Sequence, residues 1–239
     1  MDKPRWRRKS VQQHMVCKNI RKKATTKAGY YFGHHLNISR HCMAFNSLQI
    51  KSMMSAEIKE QEKIKKQILD FATKGVEDFL DENPDLEFYA FAFDCNAEYA
   101  EIGLCFNTEI SFQETLKSYQ KGEFAEYYKA EVSKHYKTEE GIKSLRYNTG
   151  DWDYQYFDSI NVFSSEELDK IYNEFPEDDY ESWNKFVSNL LDLFTESLVE
   201  FTKTKIYAKI PKTKNFISFC IDHDEDFDDA VERMKKYNR

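Results

Sequence analysis

The run Leu86-Glu87-Phe88-Tyr89-Ala90-Phe91-Ala92-Phe93 constrains this chain more than any other segment. It is short, aromatic and nearly continuous in apolar character, so it reads as a central strand buried on both faces. Asn83-Pro84-Asp85 stands immediately before it and stops a helix. That helix is expected over about Ser55 to Asp81, because Ile64, Ile68, Phe71, Ala72, Val76, Phe79 and Leu80 recur at three- and four-residue spacings and form one apolar face. After a polar turn through Asn96 and Ala97, the residues Ala100, Ile102, Leu104 and Phe106 alternate with others, the pattern of a half-buried strand. The two strands are close enough in sequence to pair as an antiparallel hairpin over about residues 86–106.

Further along, Ser111-Phe112-Gln113-Glu114 has the spacing of a capping box, with helix expected from there to about Tyr136, interrupted near Gly122. Leu145 to Tyr154 reads as a turn-rich aromatic segment. Ser164-Ser165-Glu166-Glu167 opens a short helix that Pro176 closes. A long helix follows from Asp178 to about Thr202, and Trp183, Phe186, Leu190 and Phe194 on its apolar face are expected to pack on the sheet. A last strand over Phe216–Ile221 and a terminal helix with Ala230, Val231 and Met234 complete an α+β reading: a small mixed or antiparallel sheet packed by several amphipathic helices.

Charge divides the chain unevenly. Residues 1–52 hold twelve basic residues and one acid, a net of +11; the remaining 187 hold 23 basic and 41 acidic residues, a net of -18. The basic part, with Arg5-Trp6-Arg7-Arg8-Lys9 and Arg21-Lys22-Lys23, is read as an unstructured tail or an overextended start. A short basic run is an unspecific signal, and nucleic acid is not favoured as a partner. Residues 53–239 are read as one acidic domain whose field attracts a cationic partner and repels anionic ones. No stretch approaches the ~20 apolar residues of a membrane-spanning helix. The five cysteines are odd in number and lack zinc or redox spacing, which points to a reducing compartment, the cytoplasm. The set Cys17, His34, His35, His41 and Cys42 fits no usual zinc pattern.

The ordered set of the two strands, the segment Leu145-Arg146-Tyr147-Asn148-Thr149-Gly150-Asp151-Trp152-Asp153-Tyr154, and the closing Phe216-Ile217-Ser218-Phe219-Cys220-Ile221-Asp222-His223-Asp224-Glu225-Asp226 resembles a bacterial family, domain of unknown function 4303. The resemblance spans roughly Ile58 to Met234. It singles out Arg146, Asp151 and Trp152 as family-like positions, and implies no activity, cofactor or catalytic residue. Small acidic bacterial domains of similar kind serve as immunity proteins beside toxins, an analogy only.

Read as chemistry, the candidate sites are few. Asp222, Asp224, Glu225, Asp226, Asp228 and Asp229 place six carboxylates in eight positions. Phe227 and Arg233 stand where a calcium loop wants Gly and Glu, so no metal is expected, and the run is read as a surface for a cationic protein. Asp151 and Asp153 are too close in sequence to make a facing catalytic pair; Trp152 is expected to pack, Asp151 to satisfy turn donors, and Arg146 to pair with Asp151. His135 reads as a surface residue, and His223 as a partner for nearby carboxylates. With no nucleophile elbow and seven glycines, neither a catalytic set nor a cofactor is expected. The first functional expectation is therefore a protein-binding, immunity-type module for a cationic partner such as a toxin. The alternative is a small hydrolase whose carboxylates, Asp94, Glu101, Asp151, Asp153 and Asp222, converge only in the fold. Oligomeric state is not encoded in any pattern found.

Overall fold

The structure, a computed structural model, describes residues 43–121, 133–176 and 179–237. The chain divides into two units, Met1–Gln49 and Ile50–Arg239, and the account below concerns the second. The basic runs and the Cys/His set of the amino-terminal segment lie outside the described residues.

Helix α1 (Met43–Glu82) begins three turns earlier than its apolar spacing indicates and ends where Asn83 Nδ2 donates to the Phe79 carbonyl, 2.8 Å. Strand β1 (Phe88–Asn96) follows, and from Phe88 to Cys95 no residue is more than 1% exposed. A 3-10 turn (Ala97–Tyr99), closed by Ala100 in the left-handed region at φ 52°, leads to β2 (Glu101–Asn107). The two strands pair antiparallel, Phe91 opposite Phe106 and Asp94 opposite Gly103, as the hairpin pattern required. Strand β2 differs from expectation in one respect: it is buried on both faces, not half-buried. Its residues off the alternation are Gly103 and Cys105, small enough to lie beneath Tyr156 from the next strand.

Helix α2 (Glu109–Lys121) starts two residues before Ser111. Thr108 provides its cap: its Oγ1 accepts from the Ser111 amide at 3.1 Å and donates to the Ser111 hydroxyl at 3.0 Å. The segment read as turn-rich proves more ordered. Leu145, Arg146 and Tyr147 end helix α3 (Glu139–Tyr147), capped by Thr138; a 3-10 turn (Thr149–Asp151) then leads to strand β3 (Tyr154–Asn161). Helix α4 (Ser165–Asn173) carries the full capping box read from the sequence, with Ser164 and Glu167 each accepting from the other's backbone amide. The long helix α5 (Tyr180–Phe201), the short α6 (Lys205–Lys209), strand β4 (Lys212–Asp222) and helix α7 (Phe227–Lys235) complete the order.

The sheet runs β3-β2-β1-β4, with β2 antiparallel to both β1 and β3 and β4 parallel to β1. One face carries Phe91, Phe93, Ile102, Leu104 and Phe106 against Ile68, Ala72 and Val76 of α1 and Leu190, Phe194, Leu198 and Phe201 of α5. Phe106 stacks on Phe88 at 4.3 Å between ring centroids, and Phe201 lies 5.6 Å from Phe91. Phe186 packs at the margin of this core. Trp183 does not reach the sheet; it lies against Tyr172, Phe175 and Phe186, because α5 extends past the strands and its first turns meet α4 instead. Across the α1–α5 seam, Lys65 bridges Glu196 at 2.6 Å and Glu200 at 3.6 Å.

The other face presents Tyr89, Ala90, Ala92, Cys105, Phe219 and Ile221 to Phe112 and Leu116 of α2, Leu145 of α3, Trp152, and Ala230 of α7. Helices therefore cover the sheet on both sides, as a doubly buried central strand demands.

Candidate functional site: an acidic cleft at the carboxyl end of the parallel strands

Because β1 and β4 run parallel, their carboxyl ends lie at the same edge of the sheet, and there the chain leaves both strands in turns. The turn after β4 is the acidic run. Its backbone is tied to the sheet where the His223 amide donates to the Cys95 carbonyl at 2.8 Å and the Ala97 amide to Asp222 Oδ1 at 3.1 Å. Between this turn, the start of α7 and the facing side of α3 lies a cleft of about 460 Å³.

Five of the six carboxylates in the run line the cleft, namely Asp222, Glu225, Asp226, Asp228 and Asp229, and Glu140 of α3 adds another. Asp224 is exposed and is not among the lining residues. The carboxylates are not equivalent. Glu225 accepts from the Asp222 amide and from Arg233, whose guanidinium also donates to the Cys220 carbonyl and the Thr195 hydroxyl, each 2.9 Å. Burial works against charge on Arg233, yet the hydrogen bond and charge of Glu225, together with Cys220 and Cys95, leave its pKa raised. Burial pushes the Asp222 carboxyl up, against the lowering effect of the Ala97 and His223 amides. Asp228 receives both of its hydrogen bonds from Lys143 Nζ, at 2.6 and 2.8 Å. Asp226 occupies the N-cap position of α7 without making a side-chain cap bond, and Asp228 and Asp229 sit in the first turn, where the helix dipole favours negative charge.

Behind the lining lies Asp94. It belongs to the sheet face that carries Ala90 and Ala92, is 1% exposed, and its Oδ1 has no hydrogen-bond partner. Burial raises its pKa to about 6; the Thr149 hydroxyl, the charge of His223 and the Gln155 side chain oppose the rise, while Asp222 adds to it. Three of these neighbours, Thr149, Asp222 and His223, line the cleft. In the sequence Asp94 stands out only as an Asp at the end of an apolar run, one of five scattered carboxylates.

Arg146, Asp151 and Trp152 are brought together, but not as expected. Arg146 does not pair with Asp151. Its guanidinium is held by both oxygens of Glu109 and lies 4.0 Å from the Tyr89 ring centroid and 4.9 Å from that of Phe112. Arg146 ends α3 beside the start of α2, whereas Asp151 turns the other way and accepts from the Tyr119 hydroxyl and Asn148 Nδ2. Trp152 is 4% exposed, and its Nε1 donates to the Arg146 carbonyl at 3.0 Å. These three positions join the layers of the fold.

The family model for a domain of unknown function, DUF4303, matches residues 68–239. The chain belongs to the DUF4303 family. No curated protein and no solved structure matches it. The DUF4303 match takes in β1, the Arg146–Trp152 connection and the acidic cleft, and it begins within α1.

His135, exposed at the start of the connection to α3, stands with its ring against Tyr136. Cys95 and Cys220 are buried on neighbouring strands with Sγ atoms 3.5 Å apart, and burial pushes the Cys95 thiol well up, which suits packing. Among the described residues no group of three or more His, Cys, Asp or Glu is arranged to hold a metal ion, and no helix is long and apolar enough to cross a membrane.

Proposed function

We propose that this chain is a protein-binding module that takes a cationic surface of its partner into the acidic cleft; in its immunity-type form the partner is a basic toxin that the bound domain neutralises. The observation that carries the reading is that six carboxylates and a single lysine line one cleft at the open end of the parallel strands. A concave site of one sign focuses its field and raises the rate of encounter with an oppositely charged partner. The hydrolase alternative asks for converging carboxylates. Asp94 and Asp222 are electrostatic neighbours, whereas Asp151 is engaged by Tyr119 and Asn148 and is not among the residues lining the cleft, so the binding reading accounts for more of the geometry.

The test is a stopped-flow titration with a short lysine-rich peptide and with an acidic peptide as control. The lysine-rich peptide associates faster at low salt than near physiological salt, where the Debye length is about 8 Å. Neutralising the lining residues Asp226, Asp228 and Asp229 together to Asn slows its association. An on-rate that ignores both salt and the triple substitution removes this cleft from the contact.

A further inference from the structure

We infer that the corner where α4 meets the start of α5 is a second docking surface for the cationic partner, with the rings of Tyr172, Tyr180 and Trp183 taking arginine or lysine side chains from a basic segment that continues past the cleft. The inference rests on the cationic-partner reading and adds a further place where that partner is held.

Tyr172 lies in the last turn of α4 and Phe175 just beyond it, while Tyr180 and Trp183 open α5 three positions apart, on one face of the helix. In the fold Trp183 is their hub. Its ring centroid is 5.0 Å from that of Tyr172, with the planes at 83°, and 5.6 Å from that of Phe175, at 79°. Phe186, at the margin of the core, stacks on it at 5.3 Å. The cluster is not itself a core: α4 has no buried residue, Tyr172 is 55% exposed and Tyr180 is 68% exposed. Of the four large hydrophobic side chains exposed among the described residues, two are therefore at this one corner. Aromatic rings grouped at a surface mark an interaction site, and Tyr and Trp are the side chains on which binding energy concentrates.

Charge decides what covers the rings. Asp169 stands three positions before Tyr172 and Asp179 four before Trp183, on the faces that carry the rings. Lys170 and Lys185, the only basic residues of α4 and α5, each stand two positions from Tyr172 and Trp183, which turns them to the opposite sides of their helices. An aromatic face edged by carboxylates, with its helices' own lysines turned away, attracts a cation and holds it over the rings.

The corner also lies at the end of the molecule where the cleft opens. Phe201, at the end of α5, packs 5.6 Å from Phe91, whereas Thr195 is tied through Arg233 to the carbonyl of Cys220, which pairs with Phe93. Helix α5 thus runs against the direction of β1, and its first turns extend beyond the carboxyl ends of β1 and β4. One basic surface meeting that end of the fold has the acidic cleft and the aromatic corner before it together.

The experiment titrates the full chain with a short arginine-rich peptide, with a neutral peptide of equal length as control, and reads tryptophan emission and affinity together. Besides the wild type it uses Trp183→Phe and the double variant Tyr172→Ser/Tyr180→Ser, whose two positions are exposed, so that its urea midpoint stays at the wild-type value. The arginine-rich peptide shifts the emission of the wild-type chain, and the shift disappears in Trp183→Phe. The double variant binds that peptide about fivefold or more weakly, the scale of two exposed cation–π contacts. An emission that does not respond, or that responds equally in Trp183→Phe, overturns the corner, as does an unchanged affinity in the double variant or equal binding of the neutral peptide. Self-association of the wild-type chain that the double substitution abolishes gives the corner to a second copy and overturns it too. Asp226, Asp228 and Asp229 changed together to Asn slow association and leave the Trp183 response in place, so the cleft and the corner stand or fall separately.

Discussion

Arg146 and Tyr89 hold each other twice: the guanidinium lies 4.0 Å from the Tyr89 ring centroid, while the Tyr89 hydroxyl donates to the Arg146 carbonyl at 2.6 Å. The same carbonyl accepts from Trp152 Nε1, and the Tyr89 hydroxyl accepts from Asn107 Nδ2 at 3.0 Å. One residue at the end of α3 thereby fastens the central strand, the α2 cap region and the connection to β3. Burial pushes the Tyr89 phenol up, so it stays a neutral donor throughout the physiological range.

Arg146→Lys is expected to destabilise the fold by about 1–3 kcal/mol, because an ammonium can neither fork across Glu109 nor stack on Tyr89 and Phe112. Because the partner Glu109 is exposed, the loss falls at the modest end of that range. Chemical denaturation checks it; a midpoint equal to wild type means the stacking contributes nothing.

Gly103 has no room for a side chain. A Cβ there would meet the Tyr156 ring at 2.6 Å, and Tyr156 itself lies at φ 47°, so it has little freedom to yield. Gly103→Ala is expected to cost about 1–3 kcal/mol by overpacking. A soluble variant with an unchanged urea midpoint would show that the ring moves aside freely.

Leu190 is 5% exposed at the centre of the α5 face. Leu190→Ala is expected to lose about 2–5 kcal/mol through lost burial and the cavity left behind, whereas Trp183→Ala, away from the sheet, loses less. Matched denaturant titrations of the two variants rank them.

Asp94 sets a pH dependence whose direction follows from its raised pKa. Between its unfolded value of 3.8 and its folded value of about 6, the folded state holds the proton more firmly. Its contribution is therefore present below about pH 4 and is lost as pH rises through about 6. Asp94→Asn removes that loss and is expected to be more stable than wild type by about 1–3 kcal/mol at neutral pH, with the gain shrinking on acidification. Urea unfolding at several pH values from about 4 to 8 measures it; a constant difference would place the effect elsewhere.

The elements legible in the sequence are those whose signal is local. The double-sided run at Phe88–Phe93, the three- and four-residue spacing of α1 and α5, and the Ser164–Glu167 box each depend on residues within a turn or two of one another, and each appears in the fold. Strand β3 carries no local signal because Tyr154–Asn161 has no buried residue and mixes polar with aromatic positions, as an edge strand can. The cap of α2 is ambiguous in sequence because Thr108 and Ser111 are both suitable, and only their mutual hydrogen bonds distinguish them.

By itself the sequence determined that a strand apolar on both sides must be covered on both sides, and that most of the negative charge lies in the body with a dense run at Asp222–Asp229. The tertiary structure alone decided which groups meet. Parallel pairing of β1 with β4 puts Asp94 behind Asp222 across 128 positions of chain, and the docking of α3 turns Arg146 to Glu109 and leaves Asp151 to Tyr119. Charge and periodicity are properties of neighbours along the chain, whereas a buried carboxylate's partner is set by the register of strands and helices distant in sequence, which no local pattern encodes.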